Sequence, residues 1–460
     1  MSVDLGLLLS PWSILPFVGM LLSIAIIPLV KPDWWESHQL HASIFWALLF
    51  IVPFTFVFGF HVLYENLLET ILFDYVPFIV LLFGLFVVSG GIAIKGTIAG
   101  TTKNNICFLL LGTFLASWIG TTGAAMLLIR PLLKANAWRE RKAHIVVFFI
   151  FLVANIGGCL TPLGDPPLFL GYLRGVPFFW TLQHIIPLLL INTAVLIGAF
   201  FLMDRRFMKR ELAAGRSPLD TQESSEKAPI RIEGAHNLVF LFMIIAAVIL
   251  NGSIPHMEMF QNADGTPLAW HIPGSEMYLG VNFFVQIILI LIAAFLSMKT
   301  TKQSVRQHND FNFEPIAEVA RLFIGIFITM IPALALLRAN GANLGIDTPL
   351  EFFWATGALS SFLDNSPTYV VFLTTAGALG ASEGIATTVG VVAAHELLAI
   401  SAGAVFMGAM TYIGNAPNFM VKAIAEKDGI KMPSFFGYMG WSIAILVPVF
   451  VIDSLLFFVQ

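Results

Sequence analysis

Two aspartates stand in stretches otherwise apolar enough for a lipid bilayer. Asp165 lies in Thr161-Pro162-Leu163-Gly164-Asp165-Pro166-Pro167, directly after the apolar run Ile145 to Leu160, and Asp364 lies in Asp364-Asn365-Ser366-Pro367-Thr368 within the apolar stretch 350–378. A carboxylate at membrane depth is costly and by default marks a proton or cation site. Neutral oxygen donors accompany both acids: Thr121, Thr122, Asn155 and Thr161 in the first half, and Asn365, Ser366, Thr368, Thr411, Asn415 and Asn418 in the second. Such oxygens suit a hard cation, so Asp165 and Asp364 are the expected sodium ligands. Sodium and protons are expected as transported or coupling ions, with no bound cofactor.

The run around Asp165 returns, altered, as Thr411-Tyr412-Ile413-Gly414-Asn415-Ala416-Pro417, with Gly164 and Gly414 in matching places. Pro162, Pro166, Pro167, Pro367 and Pro417 cannot donate backbone hydrogen bonds, and lipid supplies no substitute, so such backbone persists only where protein or a polar cavity satisfies it. Helix ends at these breaks present unpaired N–H and C=O groups. Paired interruptions in two halves point to the binding site of a secondary transporter. Blander roles stand beside this one. Asp165 could cap the half-helix that Pro166 begins, Asp364 could be a hairpin tip reaching water, and the hydroxyls and amides could serve only the backbone. His144, His395 and Glu396 read as interfacial, and Asp453 as facing the outer interface; Trp34-Trp35 and Phe178-Phe179-Trp180 read as interfacial aromatic belts.

The elements that must position these residues follow from composition. With 58% hydrophobic and 11% charged residues over 460 positions, the chain is an all-α polytopic membrane protein. Apolar runs near 12–30, 42–63, 73–94, 143–173, 179–203, 237–252, 279–298, 314–338, 391–425 and 435–458 give about ten transmembrane helices, two of them broken. The stretches 106–133 and 350–378 carry polar middles, Gly120-Thr121-Thr122-Gly123 and Asp364 to Thr368, and read as re-entrant hairpins. If both return to the side they entered, all of the 24 Lys and Arg except Arg174, Arg321 and Arg338 fall in cytoplasmic loops. The halves are then inverted repeats, 1–203 and 237–460, joined by a basic cytoplasmic linker, 204–236. Echoes in shared order agree, including Ala143-His144 with Ala394-His395. About 20 apolar residues precede each break, which sits awkwardly with a break at the bilayer midplane. Cys107 and Cys159 lack metal-ligand spacing, and no HExxH or GxSxG motif is present, so the chain does not read as an enzyme.

The Gly164-Asp165-Pro166-Pro167 break followed by Gly171-Tyr172-Leu173-Arg174-Gly175-Val176-Pro177-Phe178, the Leu363 to Thr368 hairpin and the Gly414-Asn415-Ala416-Pro417-Asn418 break resemble the ion transporter superfamily. This group includes NhaD-type sodium/proton antiporters, arsenite efflux permeases and citrate and dicarboxylate carriers, and the chain is most similar to the NhaD-like and citrate-transport branch. The resemblance covers nearly everything outside the linker. It implies a homodimer with a dimerising scaffold, a mobile transport domain, elevator-like movement and residence in the inner membrane of a bacterium. Carboxylate carriers show Ser-Asn-Thr at both hairpin tips, which this chain lacks; an antiporter would show an acidic first tip, where Thr121-Thr122 stands. The expected partners are the bilayer and a small ion or organic anion, not nucleic acid. A sodium/proton antiporter is the first expectation, because two carboxylates in a low-dielectric cavity favour a cation. A sodium-coupled citrate or dicarboxylate symporter is the alternative, with other anion or arsenite efflux behind it.

Overall fold

Where lipid offers no hydrogen bonds the backbone must pair with itself, and the chain is accordingly helical nearly throughout. A computed structural model describes residues 5–217 and 229–459; Lys227 of the linker and the first four residues of the N-terminal segment lie outside the described residues. The chain begins with helices α1 (Pro11–Val30), α2 (Pro32–Phe58) and α3 (Phe60–Ser89). A helical hairpin follows, α4 (Thr102–Ile119) and α5 (Thr121–Ala135), then an interrupted helix, α6 (Ala143–Leu152) and α7 (Pro166–Leu173), and the long α8 (Trp180–Ala213). After the linker the same order of elements returns. It comprises α9 (Asn237–His256), α10 (Val281–Thr300) and α11 (Glu314–Leu344), the hairpin α12 (Pro349–Ser360) and α13 (Asn365–Ala378), the interrupted α14 (Ala394–Met407) and α15 (Ala416–Lys427), and α16 (Phe435–Phe458). Eight of these, α1–α3, α8–α11 and α16, are long and apolar enough to cross a membrane, and the chain is an all-α polytopic membrane protein. Strand is confined to short ribbons such as Ala93–Lys95 against Arg231–Glu233, which ties the loop after α3 to the end of the linker.

Two boundaries differ from the sequence reading. The run expected at 42–63 is α2, which starts ten residues earlier because Pro32 occupies its first turn, and stops at Gly59, whose φ of 86° suits glycine. The next helix then starts at Phe60 rather than near 73, passing through a π-helical turn at Thr70–Tyr75. The awkward length before the first break also resolves. Helix α6 has only ten residues, about 15 Å or half a hydrocarbon core, and the chain is already irregular from Val153 onward.

Packing divides the helices into two groups. Helices α1–α3 pack with α9–α11, while the hairpins and interrupted helices pack on one another and on α8 and α16. The interrupted helices are the deepest parts. Every residue from His144 to Leu160 is buried, as is every residue from Leu397 to Ala409. A helix apolar all round belongs inside protein, and here that placement supplies the partners that broken backbone needs.

Candidate functional site

The breaks and hairpin tips hold one another through matched bonds. In the first half the Ser117 hydroxyl donates to the Gly157 carbonyl at 2.5 Å, and the Thr161 hydroxyl to the Ser117 carbonyl at 2.5 Å. In the second, the Ser360 hydroxyl donates to the Ala404 carbonyl at 2.6 Å, and the Thr411 hydroxyl to the Ser361 carbonyl at 2.5 Å. Thr161 and Thr411 also accept the N–H groups of Leu163 and Ile413, each at 3.2 Å. These two threonines therefore serve the backbone. Gly164 and Gly414 are required by close approach: a Cβ on Gly164 would overlap the Gly158 carbonyl, and one on Gly414 would lie 2.6 Å from the Gly408 carbonyl oxygen. The Gly164 carbonyl also accepts the Thr121 N–H at 2.8 Å, fixing the first hairpin tip against the first break.

Asp165 sits where the two halves meet. Its backbone occupies the N-cap position of α7, with Pro166 and Pro167 in the first turn, yet its side chain makes no capping bond. The fully buried carboxylate instead accepts three neutral donors from three other elements. The Thr121 hydroxyl reaches Oδ1 at 3.0 Å, Asn415 Nδ2 reaches Oδ1 at 3.0 Å, and Asn365 Nδ2 reaches Oδ2 at 2.6 Å. Among the described residues, no Lys, Arg or His pairs with it.

A polar lattice extends from this carboxylate. Asn415 Nδ2 also donates to Asn155 Oδ1 at 3.3 Å, Asn155 Nδ2 to Asn418 Oδ1 at 2.7 Å, and Asn418 Nδ2 to the Gly408 and Thr411 carbonyls at 2.8 and 2.9 Å. Asp364 has a different position. It is half-buried and accepts the Ser366 N–H at 2.9 Å as the N-cap of α13, in bond with none of the groups around Asp165. Thr368 donates to the Asp364 carbonyl at 2.9 Å, Ser366 reaches Asn365 Oδ1 at 3.4 Å, and Thr122 is half-buried and shares none of these bonds. Pro162 lies in the turn of the first break; Pro367 and Pro417 lie in the first turns of α13 and α15. Among the described residues no three His, Cys, Asp or Glu side chains converge as metal ligands. A cation at Asp165 would take its other ligands from hydroxyl, amide and carbonyl oxygens.

Other polar groups lie elsewhere than their sequence suggested. Asp453 is fully buried rather than at an interface, and both its oxygens accept Asn192 Nδ2, at 2.9 and 2.8 Å. His144 is also buried, with Nε2 2.8 Å from Asp204 Oδ1, which Arg139 Nη1 meets at 2.5 Å. Of the two expected aromatic belts, Trp35, Phe178 and Trp180 are buried among helices, while Trp34 and Phe179 are exposed. Ser117 and Ser361 were not singled out from sequence. Their spacing of 244 residues is close to the 250 that separates Thr161 from Thr411 and Gly164 from Gly414, and was the available signal.

No curated protein matches the chain. Over residues 7–458 the sequence matches the family described as "Putative citrate transport", and the chain belongs to that family, within the citrate-transport branch of the ion transporter superfamily.

Proposed function

We propose that Asp165 is a shared site for Na⁺ and H⁺ in a sodium/proton antiporter of the NhaD-like type. The observation that carries this reading is a fully buried carboxylate held by Thr121, Asn365 and Asn415, with no basic partner among the described residues. An isolated buried charge is costly, so this carboxylate needs either a proton or a cation at all times. Competition for one carboxylate couples the two ions. Each amide carries N–H and oxygen on one plane, so rotating Asn365 and Asn415 by about 180° replaces donors to the carboxylate of Asp165 with oxygen ligands to a cation. A carboxylate without basic neighbours repels an organic anion, which then needs bound Na⁺ or helix N-termini to hold it.

In this reading residues 1–203 and 237–460 are inverted repeats, supported by the returning element order and the matched Thr161 and Thr411 bonds. Helices α1–α3 and α9–α11 form the scaffold of a homodimer. The hairpins and interrupted helices carry Asp165 past it, with the basic loops facing the cytoplasm of a bacterial cell.

Sodium-coupled citrate or dicarboxylate transport is a second reading, favoured by the family's description. Proteoliposomes loaded with a pH dye separate the two. The antiporter alkalinises the interior when Na⁺ or Li⁺ alone is added outside, without an organic anion. Citrate uptake that requires Na⁺, with no pH change on Na⁺ alone, would replace the first reading with the second.

A further inference from the structure

Helices α5 and α15 both begin at Asp165 ligands, Thr121 and Asn415, and both run to the basic face of the protein. Arg130 lies nine residues beyond Thr121, and Lys427 twelve beyond Asn415, about 14 and 18 Å at 1.5 Å per residue. Between their far ends is a cavity of about 630 Å³. Lys95, Arg130, Lys134, His308 and Lys427 line it, with Asp310 and Asp428 as its acids. Asp310 neutralises part of this charge: its Oδ2 lies 3.1 Å from Arg130 Nη2 and 3.5 Å from Lys427 Nζ. Lys95 pairs outward with Glu233 at 2.8 Å, and Lys134 forms no ion pair among the described residues. Burial, then the charges of Lys95, Lys134 and Arg130, holds the His308 imidazole below its ordinary pKa, as expected in a cavity of positive potential.

We infer that this cavity is a second binding site, which takes an oxyanion with two or more negative groups, such as a polycarboxylate or a phosphate. Its volume is in the range of small-molecule sites. Arg130 and Lys427 share the single Asp310 carboxylate, Lys134 has no ion-pair partner among the described residues, and the C-terminal ends of α5 and α15 favour cations already, which an anion would bridge. Asp310 occupies the place of one anionic group, held with a φ of 47° in the left-handed region, so a ligand with more charge competes with it for Arg130 and Lys427. The site is separate from Asp165 and does not depend on the ion exchanged there. Both a soluble anion and an anionic lipid headgroup carry this chemistry.

Calorimetric titration of the full-length protein in phosphatidylcholine nanodiscs, without sodium, tests it with citrate and with inorganic phosphate as probes. Wild type binds at least one of them. Lys134→Gln and Arg130→Gln each weaken binding by about tenfold, the worth of a charge-assisted bond. Asp310→Asn, which keeps a residue that tolerates the left-handed region, tightens it. Asp165→Asn leaves it unchanged, separating this site from the ion site. A parallel arm compares thermal stability in neutral discs and in discs containing phosphatidylglycerol. Stabilisation of wild type by the anionic lipid, absent in Lys134→Gln, assigns the site to a headgroup. If citrate, phosphate and anionic lipid all act equally on wild type and on Lys134→Gln, or if Asp165→Asn abolishes binding, the inference is overturned.

Discussion

Asn155, in the first break, donates through Nδ2 to Oδ1 of Asn418, 263 residues later in the second, at 2.7 Å and with both side chains fully buried. Each asparagine also serves broken backbone: Asn155 reaches the Ile150 carbonyl at 2.8 Å, and Asn418 the Gly408 and Thr411 carbonyls. One bond therefore locks the two interruptions together directly behind the carboxylate.

Asn155→Ala should leave Asn418 Oδ1 and the Ile150 carbonyl without this donor. Each buried group left unmatched costs about 1–3 kcal/mol, so thermal unfolding in detergent should shift downward by several degrees. Asn418→Ala should do the same, and the double variant should lose less than the sum, because both remove one shared bond. Strict additivity would show that the bond contributes nothing.

Asn365 and Asp364 are adjacent and have different expected effects. Asn365→Ala removes the 2.6 Å donor to Asp165 and should weaken apparent Na⁺ affinity by about tenfold, the size of a bond to a charged group. Asp364→Asn keeps a capping oxygen for the Ser366 N–H and should change that affinity by about threefold at most. Sodium-dependent transport by the two variants, compared at one pH, reverses this assignment if Asp364→Asn has the larger effect.

Asp204 is the counter-ion of the buried Arg139, which also donates to the Gly100 carbonyl at 2.7 Å. Asp204→Asn strands that guanidinium without a negative partner, and breaking a buried pair costs about 3–5 kcal/mol. The variant should unfold at markedly lower temperature, while Arg321→Gln, whose partner Glu314 is exposed, should unfold near wild type. Equal melting temperatures for all three proteins would remove the structural role.

Orientation can be read by thiol labelling in a Cys107→Ser background. Lys302→Cys, exposed among the basic loops, should be protected from an impermeant reagent in intact cells, and Glu276→Cys, exposed in the loop between α9 and α10, should react. The opposite pattern inverts the assignment of the basic face.

Much of this site was legible because chain chemistry is unusual at membrane depth. Proline after Asp165, glycine before it and amides at the matching positions mark a break without reference to any fold. The hairpin tips were legible too, through charge bookkeeping across the loops. What the chain withheld was which neighbour faces inward. A helix turns about 100° per residue, so Asp364 caps its hairpin while Asn365, one residue on, meets Asp165, and Thr121 is engaged where Thr122 is not. The buried pairs Asp453 with Asn192 and Asp204 with Arg139 join residues 261 and 65 positions apart, and no local pattern announces either. Asp453, near a helix end, was read as interfacial; α8 packing against α16 buries it instead.

The exchange of Na⁺ and H⁺ at one carboxylate is tested most directly by Asp165→Asn in proteoliposomes carrying an internal pH dye. Asparagine keeps the shape and the N-cap backbone but can neither bind a transported proton nor offset a cation. Wild type should alkalinise the interior when external Na⁺ is added alone, and Asp165→Asn, folded and reconstituted to the same density, should show no such response. Sodium-driven alkalinisation of equal rate in the variant would contradict the role assigned to Asp165.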